Sequence, residues 1–101
     1  MVQLTFNALK LNPKDNVVVT LKNVKVDEYL SVQGEHLTMK VLDGIPYGHK
    51  IAIADIPKGG RIIKYGEWMG VATQDIQAGA HVHVSNVRGL NDEERQTINV
   101  Q

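Results

Sequence analysis

The sequence contains no cysteine, which excludes a disulfide framework and any metal site built on thiolates. It has no excess of charge, because eleven basic residues balance eleven acidic ones, and this argues against an electrostatically driven nucleic-acid binder. It also lacks an apolar run of membrane-spanning length and the basic and apolar start of a signal peptide. We therefore expect a cytoplasmic protein that binds neither nucleic acid nor membranes.

Sustained helical periodicity is missing as well, and the 101 residues predict a single domain with a modest core. Short runs rich in valine and isoleucine alternate with Gly, Pro, Asn and Asp, which predicts an all-β fold, a compact barrel or sandwich of short strands. The core is expected at about residues 13–88, and residues 89–101 form either one helical turn, capped by Asn91 or Asp92, or a mobile end. The predicted strands are Val17–Leu21, Tyr29–Val32, Leu37–Val41, Lys50–Ala54, Arg61–Tyr65, Met69–Thr73 and His81–Val84.

One motif occurs twice. The pattern Ala-x-x-Asp-Ile-x-x-Gly-x-x-aliphatic begins at Ala52 and again, twenty residues later, at Ala72. The aspartate of each copy is expected to accept hydrogen bonds from backbone N–H groups and fix a turn, and the glycine to supply a positive φ. A fainter third copy covers Val18–Val24, with Asn23 in the aspartate position and no glycine. Such an internal pseudo-repeat of a strand-turn-strand unit supports a small β-fold.

The second copy runs into His81 and His83, which share a face if the strand continues through them. Neutral imidazoles are common metal ligands, but two ligands seldom hold a metal and a third donor is needed. The pair is therefore either part of a binding site or a surface pair hydrogen-bonded to water. His49 is either a turn residue or a ligand. If the two copies pack about a pseudo-twofold axis, His49 and His83 approach each other.

Four further candidate residues each have both a functional and a structural interpretation. Lys64 and Tyr65 offer a cation and a phenol that suit a sugar-acid carboxylate. In the alternative interpretation, the stem of Lys64 covers apolar surface and Tyr65 is a half-buried residue at the end of a strand. Asn86 binds a hydroxyl group or ends the strand. Trp68 is a core residue or an anchor for a partner subunit, and His36 carries no functional signal. No self-contained catalytic motif is present, which favours a contribution to a shared site.

Several short stretches of sequence, in a specific order, extend over most of Pro13–Arg88. These stretches are Asp15–Val19 with Leu21, Gly48–Ala52, Ile63–Gly66, Gly70–Ala72, Asp75–Ile76, Gly79, and His81–His83 with Asn86. In this order they resemble the N-terminal SAF-type domain of the altronate and galactarate dehydratase family, and the small subunit of the related sulfolactate sulfo-lyase. The resemblance implies a β-clip fold. It also implies a split small subunit, or a domain excised from a larger catalytic chain.

The function that the resemblance implies is that of a small subunit of a carbon–oxygen lyase, inactive alone, which shares its site with a large dehydratase-like subunit. A proton would leave the carbon beside the carboxylate of a sugar acid or sulfonated hydroxy acid, and hydroxide or sulfite would then depart. A divalent metal, iron or manganese, would stabilise the enediolate. In this scheme the catalytic residues are His83 and His49, the substrate-binding residues are Lys64, Tyr65 and Asn86, and the metal ligands are His83 and His81.

Ser85 stands where family members often carry one more histidine, two places after the one aligned with His83. This departure supports the alternative, a non-catalytic β-clip module that binds a carbohydrate acid or a protein partner. Trp68 and Met69, together with several valines on short strands, predict an apolar face. We therefore expect either a homo-oligomer or a complex with the large subunit.

Overall fold

The structure is a computed structural model that describes residues 6–33 and 38–99. His36, the predicted turn at Gly34 and Glu35, and the start of the predicted strand at Leu37 lie outside the described residues. None of the helices in the described part has the length and apolar character needed to cross a membrane. The elements are β1 (Ala8–Leu9), β2 (Val17–Thr20), β3 (Tyr29–Gln33), β4 (Thr38–Lys40), β5 (Lys50–Ala52), β6 (Arg61–Lys64), β7 (Glu67–Ala72), β8 (His81–Val82), β9 (Val87–Arg88) and α1 (Asp92–Asn99).

The strands form two sheets, one with the order β4-β3-β1-β2-β5-β8 and the other with the order β6-β7-β9. β1 runs parallel to β3, and the other strand pairs are antiparallel. The prediction of an all-β fold is confirmed, and each of the predicted strands is found, with most of them slightly shorter than predicted. β1 and β9 were not predicted, because a strand of two residues is too short to show a period of two.

The pair β2 and β5 separates two apolar cores. Successive side chains of a strand point to opposite faces, so Val18 and Ile51 enter the first core, whereas Val17 and Ala52 enter the second. Because both faces of this pair are buried, Val17–Val19 reads as a continuous apolar run. The first core consists of Ala8, Val18, Val24, Leu30, Val32, Val41, Ile45 and Ile51. The second consists of Val17, Ala52, Ile56, Ile62, Ala72, Ile76 and Val82.

The two copies of the repeated motif meet at their turns, and each copy stabilises the other. Ile56 and Ile76 form an antiparallel bridge in which the N–H of each residue donates to the carbonyl of the other at 2.7 Å. The Asp55 carboxylate accepts the N–H of Ala78 at 2.9 Å, and Asp75 accepts the corresponding N–H of the first turn at 2.8 Å. The predicted structural role of the aspartates is confirmed with one difference, since each carboxylate fixes the turn of the opposite copy.

The structure confirms the fainter third copy around Val24 and shows a fourth around Ile45, which pairs with it. Val24 and Ile45 form the same reciprocal bridge, with both N–H···O=C distances at 2.8 Å. The side-chain oxygen of Asn23 accepts the N–H of Tyr47 at 2.8 Å. The third copy needs no glycine because Asp27 itself adopts a positive φ of 67°. The described fold is thus built on two pairs of turns, one pair for each core.

The tail forms a helix of eight residues, about two turns, which is longer than the single turn that was one of the two predicted alternatives. Asn91 accepts the N–H of Glu94 at 2.8 Å, and the Glu94 carboxylate accepts the N–H of Asn91 at 2.9 Å, which is a capping box. Both nitrogens of the Arg88 guanidinium reach Glu94, at 2.8 and 3.0 Å. Hydrogen bonds from Arg88 and from the Asn91 backbone lower the pKa of Glu94 to about 2. The helix is therefore tied to the end of β9.

Gly59 and Gly79 provide a matched test of the repeat, because both have a positive φ, 84° and 93°. A Cβ added at Gly59 would meet nothing within 4 Å, whereas one at Gly79 would lie 2.7 Å from the Lys40 carbonyl oxygen. Gly59→Ala should lower the free energy of unfolding by about 1–2 kcal/mol, the strain of a left-handed backbone alone. Gly79→Ala should lower it by clearly more. Urea denaturation measures both, and equal losses would contradict the close approach of the Lys40 backbone.

Candidate functional site

The register of β5 and β8 brings three histidines together. Lys50 lies opposite Val82 and Ile51 opposite His81, so His49, just before β5, and His83, just after β8, are brought next to each other. Directly opposed residues of an antiparallel pair have Cβ atoms about 4.5–5.5 Å apart. The prediction that His49 and His83 approach each other is therefore confirmed, and His81 lies on the same side.

The three imidazoles form one cluster. The rings of His49 and His83 are parallel to within 6°, with their centroids 5.6 Å apart. The His81 ring lies 5.1 Å from the first and 4.9 Å from the second. Nδ1 of His49 and Nε2 of His81 are 2.9 Å apart, a hydrogen-bond distance. Because one of these nitrogens must donate and the other accept, the contact exists only while at least one of the two rings is neutral.

The turn after β8 holds His81 and His83 in place. Asn86 is buried, and its side chain accepts the N–H of His83 and donates to the carbonyl of His81, both at 2.8 Å. β8 ends at Val82, earlier than predicted, because this amide takes the place of a strand partner for the His83 backbone. The geometry thus gives Asn86 a positioning role, and its binding of substrate stays a prediction. Ser85 lies exposed in the same turn.

Lys64 and Tyr65 lie at the β6–β7 hairpin. Tyr65 and Gly66 have φ values of 59° and 73°, as a two-residue type I′ turn requires. Their N–H groups donate to the buried Asp15 carboxylate at 3.1 and 2.7 Å. The Lys64 ammonium lies 5.1 Å from the centre of the exposed Tyr65 ring. Within residues 6–33 and 38–99, no hydrogen bond or ion pair joins Lys64 or Tyr65 to the histidine cluster.

Lys50 is a residue that the sequence analysis missed. Its side chain lines a cleft of about 210 Å³ together with His83 and Arg88. Burial, and then the positive charge of Lys64, lower the pKa of Lys50. This lysine belongs to the Gly-His-Lys stretch, but a lysine on a strand usually faces solvent, so its sequence position alone does not predict a role.

A metal ion would find an incomplete site here. Among the described residues, no group of three or more His, Asp or Glu side chains is arranged to hold one. Imidazole nitrogens suit ions such as iron and zinc, and the contact of 2.9 Å between His49 and His81 occupies one nitrogen of each of these rings. The cluster can therefore supply part of a ligand set, and any further ligands must come from outside the described residues.

Comparison with known proteins identifies the class. Residues 6–90 match the family model of the altronate/galactarate dehydratase SAF domain, so the chain belongs to this family of all-β domains. It is 39% identical to the altronate dehydratase of Bacillus subtilis and 40% identical to that of Escherichia coli, over 80 residues in each case. These residues are 79% of this chain but 16% of either relative, so the chain spans about a sixth of the dehydratases that it matches.

A further relative has a length closer to that of this chain. The (2R)-sulfolactate sulfo-lyase subunit alpha of Chromohalobacter salexigens is 39% identical over 75 residues, which are 70% of this chain and 80% of that subunit. By its name, that protein is one subunit of an enzyme. The family therefore includes the SAF domain both as a small part of a long chain and as most of a separate subunit.

The protonation of His81 should affect stability. Burial lowers the pKa of His81, and the positive charges of His83, His49 and Lys50 lower it further, against an opposing effect of Asp43. The unfolded chain takes up this proton near pH ~6.5, and the folded chain does so only at lower pH. The stability due to neutral His81 is therefore fully present above pH ~6.5 and is lost as the pH falls through the folded-state pKa.

When the pH falls from about 7.5 to about 5, the free energy of unfolding of the wild type should decrease by more than that of His81→Gln. Urea denaturation at the two pH values gives the comparison. An NMR titration of the His81 ring should show a midpoint below the ordinary histidine value of about 6.5. A midpoint at or above that value would contradict the burial of this ring.

Proposed function

We propose that this chain is the small subunit, or the SAF domain, of a hydroxyacid lyase of the altronate/galactarate dehydratase type. Its histidine cluster would complete an active site shared with a large dehydratase-like portion. The observation that carries this proposal is the clustering of three imidazoles with ring centroids 4.9–5.6 Å apart. The match to a sulfo-lyase subunit over 80% of its length supports a separate partner chain.

The cluster suits acid–base chemistry near neutral pH, where imidazole gains and loses protons. A β-elimination needs a base for the proton beside the carboxylate and an acid for the departing hydroxide. His83 is exposed and lines the cleft, so we assign it proton transfer with the substrate. His49 stacks on His83 and is hydrogen-bonded to His81, so we assign it the orientation of the cluster and the relay of protons within it.

The substrate class that we propose is a sugar acid or a sulfonated hydroxy acid, the kinds of compound named in its relatives. Lys64, Tyr65 and Asn86 stay predicted substrate-binding residues, and the cytoplasm stays the predicted location. Iron or manganese, if the assembled enzyme binds one, would withdraw electron density from the substrate carboxylate. His81 and His83 stay the predicted ligands that this chain would contribute, and the large portion would supply the others. A His83 nitrogen that binds the ion cannot also accept the substrate proton, so the metal role and the proton-transfer role of His83 are alternatives.

A second candidate function is a non-catalytic module that binds a carbohydrate acid or a protein partner. Two observations favour it. The described part of the chain holds an incomplete set of metal ligands, and position 85 is a serine where family members often have a histidine. The two candidates differ in one respect that can be measured: whether the imidazoles matter to turnover in the assembled enzyme.

The chain alone should have no lyase activity, and addition of a cognate large subunit should restore turnover of altronate, galactarate or sulfolactate. In the assembled enzyme, His83→Ala should lower kcat/KM roughly a hundredfold, the effect of losing ~3 kcal/mol of transition-state contact. Its free energy of unfolding should change by no more than ~0.5 kcal/mol, as for an exposed side chain. Steady-state kinetics and thermal melting measure the two effects.

His36→Ala is the control for these kinetics, because the sequence assigns this histidine no role. The activity of His81→Ala should lie between those of the control and of His83→Ala, since His81 contacts the other two rings of the cluster and is also a predicted metal ligand. Robust turnover by the chain alone would refute the shared site. Equal activities of His83→Ala and His36→Ala would favour the binding module.

Assembly should depend on the apolar side chains that border the cleft. Val84 and Met69 are 83% and 48% exposed there, whereas Trp68 is half-buried and donates its indole N–H to the Gly70 carbonyl at 2.9 Å. Val84→Lys should weaken binding to the large subunit by about tenfold or more, because it places a charge on the apolar surface that the interface would bury. Val26→Lys is the matched control, an exposed valine outside the cleft. Sedimentation should detect the difference, and equal affinities would place the interface elsewhere.

A further inference from the structure

We propose that the cleft beside the histidine cluster is a carboxylate-binding subsite and that the Lys50 ammonium is its anion-binding group. This inference rests on the proposed function and deepens it, because it names the residue that holds the charged end of the substrate. The subsite is distinct from Lys64, Tyr65 and Asn86, which the sequence had suggested for this role.

The backbone of Lys50 is held on both sides. It lies opposite Val19 of β2 and opposite Val82 of β8, so it belongs to an interior strand of the larger sheet. Groups on such a strand are positioned more accurately than groups on a loop. The side chain is half-buried and lines the cleft of about 210 Å³. The base of the side chain is therefore fixed by an interior strand, and the side chain extends along the wall of the cleft.

The Lys50 cation has no acidic partner in the described part of the chain. The ion pairs found there are Arg88–Glu94 and Lys22–Glu28. The other cation of the cleft, Arg88, is thus already neutralised by two hydrogen bonds from its guanidinium to Glu94, at 2.8 and 3.0 Å. The charge that acts most on Lys50 is that of Lys64, which is also positive. A half-buried and unpaired cation is unfavourable, and a bound anion relieves that cost.

The position of Lys50 suits the reaction. His83 lines the same cleft, so a carboxylate held by Lys50 would bring the adjoining carbon next to His83. That carbon carries the proton which an elimination must remove. His49 directly precedes Lys50, and strand alternation therefore turns its side chain to the other face of the sheet. A lysine ammonium is a compact charge that binds one carboxylate without imposing a bidentate geometry. The exposed Met69 and Val84 at the border leave apolar surface for the large portion to cover.

Kinetics of the assembled enzyme test the subsite. Lys50→Met keeps the apolar stem and removes the ammonium, so KM for the hydroxy acid should rise roughly tenfold or more, as for the loss of a hydrogen bond to a charged group. kcat should fall by a smaller factor. Lys50→Arg restores the charge and should keep KM within about threefold of wild type. Lys58→Met, at an exposed turn lysine, is the control and should behave as wild type.

An unchanged KM for a folded Lys50→Met enzyme would overturn the subsite. If His83→Ala still lowers turnover in the same preparation, the subsite alone has failed and the proposed function stands. If both variants behave as wild type, the proposed function has failed as well.

A second measurement uses the unaltered chain, so it does not depend on whether a variant folds. Lysines are acetylated with acetic anhydride, and the modified positions are identified by mass spectrometry. One sample contains D-tartrate, a small hydroxy diacid. The other contains sodium chloride at the same ionic strength, so that electrostatic screening is equal in the two samples. Tartrate should slow the acetylation of Lys50 and leave Lys58 unchanged. Equal rates at Lys50 in the two salts would overturn the proposal.

Discussion

The reciprocal bridge between Ile56 and Ile76 is the contact on which the geometry of the site depends. Each turn closes one hydrogen bond of its own, Gly60 N–H to the Pro57 carbonyl and Ala80 N–H to the Gln77 carbonyl, and the hydrogen bonds between the two turns join them into one unit. The second turn is also joined to the end of β5, where the N–H of Gly79 donates to the Ala52 carbonyl at 2.7 Å. This bond fixes where β8 begins beside β5, and that register sets His81 against its partners. A shift of one residue would turn the histidines to the opposite face.

The reciprocal bridge between two turns occurs twice in the fold, once for each core, and the histidine cluster lies outside both cores. The bridge between Val24 and Ile45 closes the first core, and the bridge between Ile56 and Ile76 closes the second. β2 and β5 lie between the cores and have both faces buried. His49 lies just before β5 and is only partly buried. The rings therefore lie at a boundary, on rigid strands and incompletely covered.

Much of the fold could be predicted because its determinants are local. The repeat, the turn residues and the apolar runs are visible in the sequence, and pseudo-symmetry predicted the approach of His49 to His83. The third copy was hard to see because Asp27 adopts the left-handed conformation that glycine usually supplies, as Asp occasionally does. The roles of Lys50 and Asn86 depend on long-range packing and on a side-chain-to-backbone contact, neither of which has a periodic signature.

The physical chemistry of the cluster favours a shared site over a complete one. The cleft of about 210 Å³ is smaller than the roughly 300–1,000 Å³ of typical ligand pockets, so the described residues around it do not enclose a sugar acid. Opposite charges at a surface attract each other several-fold less than they do in a dry interior. A second protein surface over the cleft would exclude water and strengthen the contact between Lys50 and a carboxylate. Under the proposed function, the small β-domain would hold the imidazoles on rigid strands and a larger partner would enclose the substrate.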